Sequence, residues 1–483
     1  MNTAPRLLRG GGEITLPREL FADLRLDGIL SEAAMSVLGT PCDRAELPRR
    51  WELFALLERE EVRGRVEGCL SALLALERAL DLYREARTAL ERYHRYADLL
   101  DSYLRACAAL VGLSDCGALL AEAAACFSSA DQQRLHTDLR AALDRVRALL
   151  SRFRVGLLSC SDKKWLTPDR EAVSEHGRIA ATARALGLSP AEPKRLNIRV
   201  DTTLSDALCR LYAAEARELE DVIEAYRHVA LREPLDYIPE LRFFLEITAL
   251  TERAARIGVP HILPAVADTP QYTARDAYDI SLLAKNIERI VPNDIGLSAR
   301  EPFCFLTGAN GGGKTTYLRA VGINLILFLS GCPVFAREAC IYPFTYVAAH
   351  FPRDERFDRV GRLDEERLRT EGMLTASAGK TALLLFNETF SGADDKRGFA
   401  LLRDTADRLS AAGHFGIYVT HFHEVMSTDY PVLTAEIDPR DGNRRTWRIV
   451  RSKGTASSYA ADILRKYRLD RESLRERREA HDC

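Results

Sequence analysis

No run of apolar residues in this 483-residue chain approaches the roughly 20 needed to cross a bilayer; the longest, near Ile323–Leu329, falls far short. The opening stretch MNTAPRLLRGGGEITLP lacks an apolar core of signal-peptide length. An excess of either charge is also missing: 68 Lys and Arg stand against 70 Asp and Glu, a formal net charge of −2 with 10 neutral His. That balance excludes a histone-like basic protein but leaves room for a local basic face, because patches matter more than totals. Eleven cysteines are present, at 42, 69, 107, 116, 126, 160, 209, 304, 332, 340 and 483, yet no two have CxxC spacing. Most fall inside apolar helical patterns, where Cys behaves as a small hydrophobe, so the pattern predicts neither a disulfide framework nor a zinc site. A reducing, cytoplasmic compartment follows. There is no internal repeat and no low-complexity segment. At 47% hydrophobic and 29% charged residues, the remainder is an ordinary globular chain, long enough for roughly two to four domains.

Two compositions divide it. From about Leu20 to Gly258 the chain is rich in Ala, Leu, Arg and Glu, with long helical periods; from about Lys285, β-type runs (PFCFLTG, TALLLFNE, FGIYVTH, RRTWRIVR) alternate with helical stretches. Pro260, Pro264 and Pro270 punctuate the boundary. The expected organisation is a tail at 1–19, an all-α region at 20–265, an α/β domain at 266–470 and a charged tail at 471–483.

In the helical half, Leu135, Leu139, Leu143, Val146, Leu149 and Phe153 recur at steps of three and four, with Asp138, Arg140, Asp144, Arg145 and Arg147 on the other faces. A second such helix is predicted through Leu204, Leu208, Leu211, Leu219, Ile223 and Tyr226. The less periodic residues between them make either the tip of an antiparallel lever, at about 156–202, or a loop of an ordinary bundle.

The sharpest signal is Phe303-Cys-Phe-Leu-Thr-Gly308-Ala309-Asn310-Gly311-Gly312-Gly313-Lys314-Thr315-Thr316. An apolar strand enters G-x-x-x-x-G-K-T and then a helical pattern, the context a phosphate-binding loop requires. Glycines let backbone N–H groups turn inward as an anion nest at a helix N-terminus. Lys314 would reach the β- and γ-phosphates, and the Thr315 hydroxyl would ligate Mg²⁺.

Two further runs end in polar residues. Ala382–Phe386 leads into Asn387-Glu388, where a phosphate loop usually has an acidic pair, the first holding Mg²⁺ and the second polarising water. Asn387 brings an amide oxygen without charge, so metal affinity should fall, while Glu388 keeps its role as base. Phe415–Val419 leads to Thr420-His421-Phe422-His423-Glu424. His421, at a strand end beside a nucleotide, can contact a γ-phosphate.

These motifs, in this order, resemble the ATPase domain of the MutS family of DNA mismatch-repair proteins, an ABC-related class. TGANGGGKTTYLR is similar to that family's TGPNMGGKSTYLR, and THFHE to its THYHEL. VPNDIGL at Val291–Leu297 and SKGTASSYAADILRKYRL at Ser452–Leu469 resemble its flanking segments, and Glu246–Pro260 and Asp23–Asp43 resemble parts of its helical core. The resemblance implies an α/β P-loop ATPase preceded by an all-α core and lever, using ATP and Mg²⁺ and dimerising so that two sites form across the interface. It also implies double-stranded or branched DNA as partner, and no membrane. Departures are equally plain. Only residues 1–19 precede the core, where the family places mismatch-reading and connector domains. Gly361-Arg362-Leu363-Asp364 stands where a G-x-S-T signature would supply a serine to the partner's γ-phosphate, and Gly392-Ala393-Asp394-Asp395 replaces G-T-S-T. The chain is thus expected to be a diverged member with slow hydrolysis. The alternatives are an ATP-gated scaffold and an ABC-type ATPase acting on proteins.

At the lever tip, Lys163, Lys164, Lys194, Arg195 and Arg199, with Trp165, could neutralise DNA phosphates, although Asp162, Asp169, Glu171 and Glu192 among them equally suit a solvated loop. Nothing there resembles base readout. LRKYRLDRESLRERREAHD reads as a mixed-charge helix, solvated or dimer-facing.

Overall fold

Long amphipathic periods with few glycines give helices in the first half, and the computed structural model of the chain has them. It describes residue 8 and residues 16–153, 155–160, 163–168, 202–285, 287, 289–352, 359–390, 395–438 and 445–452, with backbone alone at 155–160, 163–168, 359–362 and 395. Two compact units are present, one built on Glu60–Leu241, the other on Leu8–Arg59 together with Arg242–Cys483.

In the first unit the helix Ala89–Val111 packs against Glu60–Arg84, Ala118–Ser128 and Ala130–Leu150. Its start is set locally by T-x-x-E: the Thr88 hydroxyl accepts the Glu91 N–H at 3.1 Å, and the Glu91 carboxylate accepts the Arg87 N–H at 3.2 Å. It buries Leu99, Leu100, Tyr103, Cys107 and Leu110. Along Ala130–Leu150 the periodic Leu139, Leu143, Val146 and Leu149 are buried, and Ala213–Ala225 lies beside it, with Arg145 Nε 2.8 Å from Glu218 Oε1.

The second helix differs from expectation. It is two helices, Thr202–Leu211 and Ala213–Ala225, broken at Tyr212 (φ −112°, ψ 48°). Tyr212 is buried and its ring centroid lies 5.0 Å from that of Phe153. No glycine or proline marks the break, and the Leu spacing carries across one non-helical residue. Between the helices, β1 (Val155–Cys160) and β2 (Lys163–Pro168) form an antiparallel hairpin. The rest of the expected tip, through residue 201, lies outside the described residues.

The second unit contains β3 (Ala265–Val266), β4 (Gln271–Ala277), β5 (Asn293–Ser298), β6 (Phe303–Thr307), β7 (Glu338–Ile341), β8 (Tyr346–His350), β9 (Ala382–Asn387), β10 (Phe415–Val419), β11 (Val432–Ile437) and β12 (Arg445–Arg451). Six form one sheet in the order β12-β11-β6-β10-β9-β8, parallel throughout except for the antiparallel edge strand β12; four form a second sheet, β3-β7-β4-β5. β6, β9 and β10 are buried at every residue, as central parallel strands covered on both faces are. The helix Lys314–Leu329 touches β9 and β10 of one sheet and β4 of the other, and its apolar residues are buried all round.

Residues 16–57 belong with this α/β unit rather than with the helical half that the composition assigns from residue 20. Leu24 is fully buried, and a Cβ added at Gly322 would come within 2.7 Å of one of its methyls. The Cys42 N–H donates to Leu329 O at 3.0 Å, and buried Arg50 donates to Ser330 O at 2.8 Å while pairing with Glu46 at 3.2 Å. The helices here are short, at most Leu47–Leu57, so their apolar faces need a foreign partner. Helical periodicity does not say which.

Candidate phosphate site

β6 delivers the chain to the loop Gly308–Gly313, and Gly313 is the N-cap of the helix that begins at Lys314. Gly308, Gly311 and Gly313 have φ of 118°, 74° and 93°, a left-handed backbone that side chains oppose. Gly308 and Gly312 are also constrained by space: a Cβ on Gly308 would lie 2.9 Å from Ala435 N, and one on Gly312 2.7 Å from Ala435 Cβ and 2.9 Å from Ala309 O. β11 thus presses against the loop from outside.

Lys314 is 4% exposed. Its ammonium donates to Gly308 O at 2.8 Å, Ala309 O at 3.4 Å and Asn310 Oδ1 at 3.2 Å, and its Nζ is 3.8 Å from Glu388 Oε1. Burial lowers its pKa; Glu388 opposes that shift and the charge of Arg445 adds to it. The Thr315 hydroxyl donates to Asn387 Oδ1 at 3.2 Å. Thr316, next in the helix, is half-buried.

Glu388 follows β9 with φ 52°, and its N–H donates to Val419 O at 2.9 Å, so pairing with β10 carries past the strand end. Phe390, φ 66°, is buried, and its N–H donates to Glu366 Oε2 at 2.8 Å. Their N–H bonds, and that of the Tyr418 hydroxyl to Thr389 O between them at 3.2 Å, hold this left-handed backbone in place. His421 follows β10, the strand between β6 and β9. Its exposed ring lies 4.7 Å from that of Phe422.

The structure therefore brings Gly308, Ala309, Asn310, Lys314 and Glu388 into one cluster, joins Thr315 to Asn387, and puts His421 on the same carboxyl edge of the sheet. Gly361 to Asp364 lie within the helix Arg359–Ser377, and Gly392 to Asp394 lie outside the described residues. Lys163 and Lys164 begin β2, opposite Cys160 and Ser159, by backbone register; Lys194, Arg195 and Arg199 lie outside the described residues. Residues the sequence reading did not single out complete the surroundings. Asn293, inside VPNDIGL, donates to Trp447 O at 3.1 Å and accepts the Ile449 N–H at 2.7 Å, tying β12 to β5. Ala435 shapes the loop. Only the strand-like composition of RRTWRIVR hinted at β12.

The donor set suits a polyphosphate: a glycine cradle that a Cβ would fill, a buried ammonium and a helix N-terminus. It suits Mg²⁺ only as a nucleotide-borne ion. Thr315 and Asn387 offer neutral oxygens, and among the described residues no group of three or more His, Cys, Asp or Glu could hold a metal.

A parallel strand feeding a glycine loop at a helix N-terminus, with a carboxylate at a neighbouring strand's end, is an arrangement that could hold an anion in this α/β unit. A family model for MutS domain V matches residues 304–447, the stretch from β6 to β12. Over this stretch the chain resembles MutS-family proteins. It is 28% identical over 244 residues to a DNA mismatch repair protein MutS from Natronomonas pharaonis, covering 45% of this chain and 27% of that protein. To the DNA mismatch repair protein MSH2 of Saccharomyces cerevisiae it is 29% identical over 208 residues, 42% of this chain and 19% of that one. To an endonuclease MutS2 from Anaeromyxobacter it is 30% identical over 166 residues, 34% and 20% respectively. The matches span about a quarter or less of these relatives. Among the described residues no helix is long and apolar enough to cross a membrane.

Proposed function

We propose that the chain is a DNA-associated ATPase that binds and hydrolyses ATP at a dimer interface, and that this couples to movement of helical levers on DNA in mismatch repair or recombination-related maintenance. The observation that carries the nucleotide part is Lys314, a buried ammonium held at the centre of the glycine loop by Gly308 O and Asn310 Oδ1. In this reading Gly308 to Gly313 and Lys314 bind phosphate oxygens, with Thr316 behind them. Thr315 and Asn387 face Mg²⁺, which supplies charge neutralisation at the phosphates. Glu388 orients the attacking water and His421 meets the terminal phosphate. The DNA part rests on the similarity to DNA mismatch repair proteins. Lys163, Lys164, Lys194, Arg195 and Arg199 are its proposed contacts, and a homodimer through the α/β domain its assembly.

A second reading, an ATP-gated scaffold with little hydrolysis, draws on the bond from the Thr315 hydroxyl to the uncharged Asn387 amide. ATP turnover with no DNA and with homoduplex, mismatched and branched DNA separates the two. DNA-stimulated turnover lost in Lys314→Ala and Glu388→Ala supports the ATPase. ATP binding that needs Lys314, with turnover indifferent to Glu388→Ala, supports the scaffold. Wild-type protein that binds no ATP refutes both.

A further inference from the structure

The turn after β9 carries the Glu388 carboxylate, and part of what holds its backbone comes from outside the sheet. Glu388 and Phe390 have φ of 52° and 66°, conformations that residues with a Cβ adopt only when their surroundings impose them. Three groups impose them here. The Glu388 N–H donates to Val419 O at 2.9 Å, the buried Tyr418 hydroxyl donates to Thr389 O at 3.2 Å, and the Phe390 N–H donates to Glu366 Oε2 at 2.8 Å. Val419 and Tyr418 belong to β10, the neighbouring strand. Glu366 belongs to the helix Arg359–Ser377 and is only 5% exposed.

That helix presents Glu366 from a fixed place. Arg369 donates to Ala349 O at 2.9 Å and Phe351 O at 3.3 Å, and pairs with Asp23 at 2.6 Å. Thr370 donates to Glu366 O at 2.8 Å, and its hydroxyl lies 3.3 Å from His350 Nδ1. The helix is thereby pinned to the end of β8, and through Glu366 to the turn after β9. Beyond the turn the chain is closed in as well. The Phe390 side chain is 1% exposed in a cluster with Leu402 and Phe422, and a Cβ on Gly398 would lie 2.9 Å from Phe390 O. With that ring and carbonyl confined, the slack left by losing the Glu366 bond falls on the residues before them, Thr389 and Glu388.

We infer that Glu366 is a positioning residue for the hydrolytic step: by accepting the Phe390 N–H it holds the 388–390 turn and so fixes the Glu388 carboxylate at the water it orients. The inference rests on the ATPase reading above and names a further residue for it. Glu366 has no part in holding ATP, which the glycine loop and Lys314 do. A shift of about 1 Å in a group that acts on the reacting atoms costs about a hundredfold in rate.

Single-turnover hydrolysis of Mg·ATP by the full chain, with ATP affinity from calorimetry, tests it. Glu366→Asp keeps the charge and shortens the arm; Glu366→Gln keeps the reach and an acceptor oxygen. Glu366→Asp should slow hydrolysis by about ten- to a hundredfold with ATP affinity within about twofold of wild type, while Glu366→Gln should stay within about threefold of the wild-type rate. In a Glu388→Ala background, Glu366→Asp should change the residual rate by less than about twofold, because nothing is left to position. A merely structural Glu366 would lower the rate in both backgrounds and ATP affinity with it, and that result overturns the inference. So does a rate that Glu366→Asp leaves unchanged, or one that falls as far in Glu366→Gln as in Glu366→Asp; if Glu388→Ala still abolishes turnover, the ATPase reading stands. Wild-type turnover that is absent, or indifferent to Glu388→Ala, overturns the ATPase reading and this inference together.

Discussion

Gly322 sits in the middle of the buried helix behind the phosphate loop, where glycine ordinarily weakens a helix by about 1 kcal/mol relative to alanine. Its reason for being there is Leu24. A Cβ at 322 would meet two Leu24 methyls at 2.7 and 2.9 Å and a Leu385 methyl at 3.0 Å, so a neighbour must move by the better part of an ångström. Overpacking of that kind costs about 1–3 kcal/mol. Gly322→Ala should therefore destabilise by about 0–2 kcal/mol net of the helix gain. Leu24→Ala, truncating a fully buried side chain, should cost about 2–5 kcal/mol. In the double variant both clashes with Leu24 are gone, leaving the helix gain set against the 3.0 Å approach to Leu385. The pair should then be more stable than the sum of the singles by about 1–3 kcal/mol. Urea unfolding followed by tryptophan emission reads this unit, which contains Trp51 and Trp447 of the three tryptophans. Additivity within about 0.5 kcal/mol would refute the packing of residues 16–57 onto this helix.

Two other substitutions test separate parts of the structure. Asn387→Asp keeps an acceptor for the Thr315 hydroxyl and adds the missing negative charge; the Mg²⁺ concentration for half-maximal ATP turnover should fall by about tenfold, worth 1.4 kcal/mol, and an unchanged Mg²⁺ dependence would remove Asn387 from the metal's surroundings. Asp279 is buried, with Oδ1 bonded to Ser281 N and Oγ at 3.0 and 2.6 Å and Oδ2 unpartnered among the described residues, and burial pushes its pKa up to about 6 against the bonds from Ser281 and the charges of Arg319 and Arg25. A raised carboxylate pKa means that the folded state keeps a proton the unfolded chain has already lost, so this group's contribution falls as pH rises from about 4 to about 6 and stays unfavourable above that, by about 3 kcal/mol. Asp279→Asn should raise the urea midpoint at pH 7.5 and flatten its dependence between pH 4 and 6; a lower midpoint at pH 7.5 would show that the charged form is welcome there.

Features that depend on neighbours along the chain were legible in the sequence. The Gly308-to-Thr316 run needs only its own glycines and lysine to turn before a helix, and the structure has that turn, with left-handed Gly308, Gly311 and Gly313 and a helix from Lys314. The apolar strands β6, β9 and β10, each ending in polar residues, declare themselves by composition. Stripes such as Leu139, Leu143 and Val146 announce helices because 3.6-residue periodicity is local. Even here a one-residue interruption, Tyr212, passes unseen, since it falls between residues whose spacing still satisfies the pattern.

The sequence by itself therefore determined the two compositions, the helices of the first unit and the strand–loop–helix that carries Lys314. Tertiary structure alone decided that residues 16–57 pack on the α/β unit, that Ala435 closes space around Gly308 and Gly312, and that Asn293 holds Trp447 beside Gly313 from 154 positions away. The reason is physical. Backbone propensity and periodicity act over a few residues, whereas strand order and the choice of partner for an apolar face are settled by burial between segments whose separation in sequence carries no signal.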